Sequence, residues 1–333
     1  MPNNEPQVVV ITGATAGVGR ATARAFAREG AKIGLLARGK AGLEGTRRDV
    51  EELGGQAIAI STDVADADLV EAAAQQVEDA FGPIDVWVNN AMTSVFSPVN
   101  EMKADEYRRV TEVCYLGYVH GTLSALKRMQ PRDRGTIIQV GSALAYRGIP
   151  LQSAYCGAKH AIQGFTDSLR TELIHDNSNV HVTEVHLPAM NTIQFSWVKS
   201  RLPNKAQPVP PIYQPEIAAD AIVWSAHNKR RELMVGGPTQ IAINGNKIAP
   251  ALGDWYLARG GYEGQQLDEP EDPNRDHNLW EPVPGDHGAH GSFDARATWK
   301  SPVTTASMYR KPIALAVAGL TSLLGAALFW KNR

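Results

Sequence analysis

Short apolar runs alternate along the chain with longer segments in which apolar residues recur at helical spacing. The runs are rich in β-branched residues, which is typical of strands buried on both faces of a parallel sheet. They occur at Gln7–Thr12, Lys32–Ala37, Gln56–Ser61, Ile84–Val88, Thr136–Val140, Val180–Leu187 and Glu232–Val235.

The segments between these runs predict helices. They lie after Gly19 and at Gly42–Leu53, Ala67–Phe81, Asp105–Met129, Ser153–His175, from about Pro215, and at Ile241–Arg259. Repeated strand–helix units of this length predict a parallel sheet covered by helices on both faces. The expected fold class is therefore α/β, with a doubly wound parallel sheet.

The composition of the chain is that of a globular protein. Of its 333 residues, 43% are hydrophobic and 20% are charged, which is enough to form a large core. The formal net charge of −2 gives no general attraction to nucleic acid, so we expect no nucleic-acid partner. Cys114 and Cys156 match neither a metal-ligand spacing nor a disulfide framework. The polar N-terminus is not expected to be a secretory signal.

A glycine-rich turn, T-G-A-T-A-G-V-G at Thr12–Gly19, lies between the first predicted strand and the first predicted helix. Glycines let backbone N–H groups approach a phosphate, and the helix N-terminus adds a partial positive charge. This order favours dinucleotide binding over a purely structural turn. Ligands of such sheets bind beyond the carboxyl ends of the strands, where we expect Gly13, Asp63, Asn89 and Ser142.

Tyr155 and Lys159 are four residues apart and therefore share one face of a predicted helix. A free phenol has a pKa near ~10, and an ammonium one turn away favours the phenolate and lowers that pKa. The same spacing is also common on solvated helix faces. The pair becomes a candidate acid/base only through the motifs that accompany it.

Five motifs stand in order along the chain: T-G-x-x-x-G-x-G, the Asp63-Val64 pair, an N-N-A segment, a serine after the fifth strand, and Tyr-x-x-x-Lys. In these motifs the chain resembles the short-chain dehydrogenase/reductase family, whose members have a single Rossmann domain. The resemblance covers roughly residues 7–240. It implies a nicotinamide cofactor that carries the hydride and protein groups that handle the proton.

The resemblance also implies a role for each matching residue. Tyr155 would be the general acid/base, Lys159 would lower its pKa and bond the nicotinamide ribose, and Ser142 would orient the carbonyl. The implied cofactor-binding residues are Thr12, Gly13, Gly17 and Gly19 at the pyrophosphate, Asp63 and Val64 at the adenine, Asn89 and Ala91 at the adenosine ribose, Tyr155 and Lys159, and Pro188 and Thr192 beside the nicotinamide.

Arg38 favours NADP(H) over NAD(H) as the cofactor. An acidic residue at the end of the second strand would bind the ribose hydroxyls and repel a 2′-phosphate. Leu36-Ala37-Arg38 has no carboxylate there and offers a guanidinium to the phosphate. The alternative is that Arg38 is an ordinary exposed residue, and no second basic residue in the glycine turn supports the phosphate site.

Several positions depart from the family pattern. Met92 stands where the family often has glycine, and Cys114 where many members have an asparagine that supports a proton relay to the lysine. Because a thiol is a weaker partner, either water or backbone replaces that asparagine, or proton exchange is slower. Cys156 is expected to be a packing residue. The aromatic residues of the segment Asn191–Gln214 favour a substrate lid for an apolar or bulky molecule, although a packed structural loop fits equally well.

Beyond the family resemblance the composition changes. Residues 260–311 are rich in Asp, Glu, Pro, Gly and His, which predicts an extended or disordered connector. Ile313–Trp330 is uncharged and as a helix would measure about 27 Å, close to the ~30 Å of a bilayer core. It predicts a transmembrane anchor, with a buried core helix as the alternative. His287 and His290, near Asp286, have no ordered frame and no fourth ligand, so no metal site is expected.

Together these inferences predict a catalytic domain at residues 1–259, a polar connector at 260–311 and a transmembrane helix at 312–331. The expected activity is hydride transfer between NADP(H) and a carbonyl or alcohol of a lipophilic molecule, a substrate class suggested by the anchor. The need for NADP(H) places the catalytic domain in the cytoplasm. Alternatives are an inactive scaffold that senses the nucleotide, or an epimerase or dehydratase. The family resemblance alone implies a homodimer or homotetramer.

Overall fold

A computed structural model describes residues 6–310, and a parallel sheet forms their centre. In chain order the strands are β1 (Val8–Thr12), β2 (Lys32–Ala37), β3 (Gln56–Ser61), β4 (Val86–Asn89), β5 (Val95–Phe96), β6 (Thr136–Ser142), β7 (His181–Leu187), β8 (Lys199–Ser200), β9 (Asn204–Ala206), β10 (Ile212–Tyr213), β11 (Glu232–Met234), β12 (Gln266–Pro270) and β13 (Ala297–Thr298). Seven of them form the central sheet in the order β3-β2-β1-β4-β6-β7-β11, with all neighbours parallel.

Helices connect the strands of this sheet and cover both of its faces. They are α1 (Gly17–Ala27), α2 (Lys40–Glu52), α3 (Ala67–Phe81), α4 (Ala104–Thr111), α5 (Gly117–Met129), α6 (Ser153–His175), α7 (Gln194–Trp197), α8 (Pro215–His227), α9 (Gly237–Ile248), α10 (Pro250–Gly260) and α11 (Pro302–Met308). The α/β doubly wound sheet is therefore confirmed as the fold class.

Alternate residues of β1 pack on opposite faces of the sheet, as a strand geometry with a period of two requires. Val9 and Ile11 pack with α1, α2 and α8, whereas Val8 and Val10 pack with α3, α5 and α6. The chain runs from β1 outward to β3 and then returns to β4 on the other side of β1. Where chain connections run to opposite sides of a strand in this way, a crevice forms at the carboxyl ends of the strands.

Two predicted helices differ from their expected form. The helix expected at 105–129 contains one π-helical turn, Glu112–Leu116, between α4 and α5. The helix expected at Ile241–Arg259 is two helices, α9 and α10, because Pro250 lacks the N–H that would continue the hydrogen-bond ladder. By contrast α3 has the predicted bounds, since the Asp66 carboxylate caps its first N–H groups and Gly82 ends it at a φ of 88°.

A buried polar network lies beneath the carboxyl end of β4. The Asn89 side chain accepts a hydrogen bond from Trp87 Nε1 at 2.9 Å and donates to Gln139 Oε1 at 2.9 Å and Thr122 Oγ1 at 3.1 Å. Its Nδ2 also lies 3.2 Å from the carbonyl oxygen of Tyr118, on α5. This network fastens α5 to the sheet directly under the crevice.

The C-terminal segment is ordered up to residue 310 and is not the extended or disordered connector that its composition predicts. Residues 272–294, which we call the strap, lie against the elements that surround the central sheet. Leu279 is 0% exposed in the same apolar cluster as Val64 and Val110. Phe293 is also buried, and its N–H donates to Asn191 Oδ1 at 3.1 Å. Two buried apolar side chains and a side-chain acceptor for a backbone N–H group therefore compensate for the polar composition of the strap.

The division of the chain into three domains stays a prediction. The transmembrane helix expected at 312–331 lies outside the described residues, and so does Ile313–Trp330. Across residues 6–310, no helix combines the length and the apolar character needed to cross a bilayer.

The network around Asn89 generates a prediction about stability. Asn89→Ala leaves buried polar groups of Trp87 and Gln139 without a partner, so we expect a loss of about 2–4 kcal/mol in the free energy of unfolding. Urea denaturation measures this loss. Asn100→Ala is the matched control, because Asn100 is exposed and should change stability by less than about 0.5 kcal/mol. Equal stabilities of the two variants would contradict the structural role of the network.

Candidate active site

A cavity of about 460 Å³ opens at the carboxyl edge of the sheet, where the crevice lies. Most of the predicted site residues line it: Gly13, Gly17, Arg38, Asp63, Val64, Ala91, Ser142, Tyr155, Lys159, Pro188 and Thr192. Thr12, Gly19 and Asn89 do not line it. One cavity therefore brings together the predicted catalytic residues and most of the predicted cofactor contacts.

The glycine turn at the start of α1 has the shape of a phosphate cradle. Gly13 and Gly17 have φ angles of 67° and 54°, which favour glycine. A Cβ on Gly13 would lie 2.7 Å from the Cα of Ala91, so a side chain there would collide with the backbone that follows β4. Ala16 supplies no side-chain cap to α1, whose first N–H groups can therefore serve a phosphate. These residues fit a dinucleotide.

Thr12 and Gly19 support the turn from behind. The Thr12 hydroxyl accepts hydrogen bonds from the N–H groups of Asn90 at 2.9 Å and Ala91 at 3.1 Å. A Cβ on Gly19 would lie 2.2 Å from the carbonyl oxygen of Gly13, so only glycine allows this helix to start so close to the strand. Both residues shape the cradle, and neither lines the cavity.

Asn90, rather than Asn89, presents its side chain at the cavity. Asn90 Nδ2 donates to the carbonyl oxygens of Thr12 at 3.0 Å and Gly13 at 3.3 Å, and thereby holds the turn in place. Asn89 is fully buried and its amide points into the core network described above. Side chains of successive strand residues point to opposite sides, so the N-N-A motif alone could not indicate which asparagine faces the ligand.

At the adenosine end of the cavity, Arg38 and Asp63 both have protein partners. Arg38 donates to the carbonyl oxygens of Trp280 and Asn278, each at 2.6 Å. Burial, together with the nearby charge of Arg109, lowers the pKa of Arg38. Asp63 Oδ2 accepts from Arg109 Nη2 at 2.5 Å. The sequence analysis did not identify Arg109 as a partner of Asp63, because the two residues are far apart in the chain and no motif around Arg109 indicates the contact.

Ser142, Tyr155 and Lys159 meet at the other end of the cavity. Ser142 ends β6, and its Oγ accepts from the N–H of Leu144 at 3.1 Å. Burial raises the pKa of Tyr155 above its ordinary value, and a hydrogen bond with Ser142 lowers it only in part. The direction is opposite to the one expected from Lys159, because burial outweighs any effect of an ammonium that is not hydrogen-bonded to the phenol.

Lys159 is 2% exposed and has two hydrogen-bond acceptors below the cavity. Its Nζ donates to the carbonyl oxygen of Val140 at 2.7 Å and to the hydroxyl of Tyr118 at 2.9 Å, and lies 5.6 Å from the ring centre of Tyr155. Burial lowers the pKa of Lys159 to about 8, against the raising effects of Cys114 and Glu184. The sequence analysis did not identify Tyr118 as a partner of Lys159. The signal that could have found it is its spacing, because Tyr118 lies one helical turn after Cys114.

Cys114 lies in the π-helical turn, and its thiol forms hydrogen bonds with the backbone of Thr93 and not with Lys159. Its Sγ donates to the carbonyl oxygen of Thr93 at 3.0 Å and accepts from the N–H of Thr93 at 3.3 Å. Burial raises the pKa of the Cys114 thiol, so it stays protonated at neutral pH. Cys114 thus bonds the backbone of Thr93, and the side chain that bonds Lys159 is Tyr118.

Apolar side chains surround the far end of the cavity beside Ser142. Phe195, on α7, packs edge-on against Phe96 and Phe293, with ring centres 6.3 and 6.0 Å apart. Thr192 packs against the start of α1, since a Cβ on Gly17 would lie 3.1 Å from its Cγ2. Further apolar residues of the wall are Met92, Leu144, Ile149, Ile193, Val209 and Leu257.

Comparison with known proteins agrees with this geometry. The sequence profile of the short chain dehydrogenase family matches residues 7–200, more than half of the chain. The uncharacterised oxidoreductase YxnA of Bacillus subtilis (strain 168) is 32% identical over 95% of this chain and 89% of its own length. The ketoacyl reductase HetN of Nostoc (strain PCC 7120) is 29% identical over 79% of this chain and 87% of its own.

A solved structure has the same fold. The alcohol dehydrogenase of the archaeon Thermococcus sibiricus, complexed with 5-hydroxy-NADP, superposes with a TM-score of 0.60 and 28% sequence identity. The superposition covers 69% of this chain and 96% of the archaeal chain. With the profile match, these likenesses show that the chain belongs to the short-chain dehydrogenase family of oxidoreductases.

Proposed function

We propose that the chain is an NADP(H)-dependent oxidoreductase that reduces a carbonyl, or oxidises the corresponding alcohol, on a lipophilic substrate. The observation that carries this proposal is the meeting of Ser142, Tyr155 and buried Lys159 in the same cavity as the glycine cradle. A phosphate cradle and an acid/base group in one cavity allow hydride and proton transfer to the same substrate carbonyl.

The chemistry of Tyr155 suits reduction at neutral pH. Because burial keeps its pKa high, the phenol is protonated and can donate its proton to the substrate oxygen as negative charge develops there. The Ser142 hydroxyl would hold that oxygen in line with the phenol. A bound nicotinamide supplies or accepts the hydride. In the oxidation direction Tyr155 must act as a base, so oxidation should be favoured by higher pH.

Arg38 supports NADP(H) as the cofactor. Its guanidinium lines the adenosine end of the cavity, and the ordinary alternative of an exposed arginine does not fit its partly buried position. The archaeal alcohol dehydrogenase that superposes on the chain holds 5-hydroxy-NADP, which agrees with this choice. A guanidinium forms an ion pair and paired hydrogen bonds with a 2′-phosphate, whereas the 2′-hydroxyl of NAD(H) has no negative charge to pair with it.

Apolar side chains in the wall of the cavity support a lipophilic substrate. Met92, Ile193 and Phe195 line the cavity that also contains Ser142, and none offers a charge or a strong hydrogen-bond group. An apolar wall favours substrates that bury hydrocarbon when they bind. The relative named as a ketoacyl reductase fits a substrate of this kind.

Tyr155→Phe separates an enzyme from an inactive nucleotide-binding scaffold. We expect turnover of a hydrophobic ketone or aldehyde to fall by about 10²–10⁴-fold, because the general acid is lost. The dissociation constant of NADPH, measured by fluorescence, should change little. Tyr262→Phe is the control, because Tyr262 is exposed and lies outside the cavity wall. Full turnover in Tyr155→Phe would refute the assigned acid/base.

Arg38→Asp tests the choice of cofactor. We expect the ratio of kcat/KM for NADPH to that for NADH to fall by about 100-fold, because a carboxylate repels the 2′-phosphate. The ratio is the useful quantity, since loss of the contacts with Asn278 and Trp280 affects both cofactors alike. Arg108→Asp makes the same change of charge at an exposed position. An unchanged ratio would exclude Arg38 as the phosphate ligand.

Tyr118→Phe tests the hydroxyl that holds Lys159. The hydroxyl accepts a hydrogen bond from the charged ammonium, so its removal should lower the pKa of Lys159 below about 8. A catalytic contribution from the ammonium is complete below this pKa and is lost as pH rises through it. We therefore expect the alkaline limb of kcat/KM for carbonyl reduction to move down by about one pH unit.

The control for this shift is Tyr115→Phe, which removes a hydroxyl from the neighbouring π-helical turn. A variant that was only less stable would lose activity at every pH without moving the alkaline limb. An unmoved limb in Tyr118→Phe would show that Tyr118 does not tune Lys159.

A further inference from the structure

The strap occupies hydrogen-bond donors that a dinucleotide would use. Arg38, the candidate phosphate ligand, donates to the carbonyl oxygens of Asn278 and Trp280. The N–H of Gly17, in the pyrophosphate cradle, lies 3.3 Å from the carbonyl oxygen of Gly288. Strap carbonyls thus stand at both places where the cofactor would present phosphate oxygens.

The strap also forms the outer wall of the cavity. Asn278, Pro282, Val283, Gly285 and His287 line it across from the glycine turn and the end of β2. Leu279 fixes this stretch of chain, because its buried side chain lies in the apolar cluster beside the adenosine end. In this position the strap stands between the adenosine end of the cavity and the solvent.

We propose that residues 278–288 of the strap form a gate, and that a dinucleotide binds and leaves only when this gate opens. Opening separates Arg38 from Asn278 and Trp280, and Gly17 from Gly288. The gate therefore sets the rate of cofactor exchange. This inference rests on the proposed function, since it assumes that the cavity binds a dinucleotide.

Opening of the gate leaves no buried cation without a partner. Arg20 bonds Asp286 of the strap, but it also bonds Asp49 of α2, at 2.8 Å. Arg109 donates to the carbonyl oxygen of Leu279 at 3.1 Å, and it keeps Asp63 when the strap departs. Since removal of the only partner of a buried charge is strongly unfavourable, these second carboxylates make the movement feasible.

The backbone of the strap contains suitable pivots. Gly285 and Gly288 flank Asp286 and have φ angles of 108° and 70°, which L side chains rarely adopt. Hinges are short segments that absorb changes in φ and ψ, and two such glycines lie within the proposed gate. The gate is held by hydrogen bonds from Arg38 and Gly17 to its backbone carbonyls and by the ion pair of Asp286 with Arg20. The side chain of Leu279 must also withdraw from its apolar cluster when the gate opens.

A disulfide between Gly39→Cys and Pro282→Cys would lock the gate. A Cβ on Gly39 would lie 3.5 Å from the Cβ of Pro282, within the range of about 3.5–4.5 Å that disulfides require. Gly39 has a φ of −81°, so it accepts a side chain without strain. Cys114 and Cys156 are both buried and should not compete in oxidation.

We expect the oxidised double variant to bind NADPH at least about 100-fold more slowly than the wild type in stopped-flow fluorescence. Once NADPH is loaded, oxidation should not form the disulfide, because phosphate oxygens then replace the strap carbonyls at Arg38 and Gly17. Dithiothreitol should restore the binding rate of the oxidised variant. The reduced double variant and each single cysteine variant are the controls for the substitutions themselves.

Equal binding rates in the oxidised and reduced forms would overturn the gate and leave the strap as a fixed wall. If the wild type binds only NADH, the same experiment applies with that cofactor. Failure of the proposed function appears differently: the wild type would then bind neither dinucleotide, whatever the state of the disulfide.

A second variant tests the gate without a cross-link. Asp286→Asn weakens the contact with Arg20 that holds the gate closed, so the binding of NADPH should become about three- to tenfold faster. Asp276→Asn is the matched control, because Asp276 belongs to the same strap, is exposed, and has no ion pair within residues 6–310. Equal binding rates in these two variants would contradict a role for Asp286 in holding the gate closed.

Discussion

Buried cations determine how this chain closes around its cavity. Lys159, Arg20 and Arg109 are all nearly inaccessible to solvent, and a buried charge is tolerated only when hydrogen-bonded or paired. Lys159 finds its acceptors in β6 and α5, within the family-matched part of the chain. The arginines instead take carbonyl and carboxylate oxygens from the strap, more than 160 residues away. These contacts, together with the buried side chains of Leu279 and Phe293, hold in place a segment with few aliphatic residues.

Burial also sets the pKa values of Tyr155 and Lys159, the proposed acid/base pair. It raises the pKa of Tyr155 and lowers that of Lys159 to about 8, so at neutral pH the phenol keeps its proton and the amine remains largely charged. The two groups do not share a hydrogen bond in this structure. Lys159 is held by Val140 and Tyr118, and its influence on Tyr155 acts through the space between them. A proton donor beside a positive charge suits the stabilisation of an oxyanion.

The sequence predicts the bounds of strands and helices that are determined by neighbouring residues. It does not predict features that depend on residues far apart in the chain. β2, β3 and α3 have the predicted bounds because apolar runs, Asp66 and Gly82 define them locally. The choice between Asn89 and Asn90 depends on which way each side chain points, which the motif does not encode. The order of the strap depends on arginines that precede it by more than 160 residues. The composition of the strap predicts a connector because composition contains no information about Arg20 and Arg109, which bond the strap.

The strap connects the two ends of the cavity. At the adenosine end it contacts Arg38, and near the substrate end the N–H of Asn278 donates to the carbonyl oxygen of Trp197 at 2.9 Å. The ring of His287 packs edge-on against Trp197, with centres 5.0 Å apart. Trp197 ends α7, in the segment expected to select the substrate. Because one stretch of backbone contacts both the candidate phosphate ligand and this segment, displacement of the strap at one end changes contacts at the other. The proposed gate would therefore link binding of the cofactor to the shape of the proposed substrate wall.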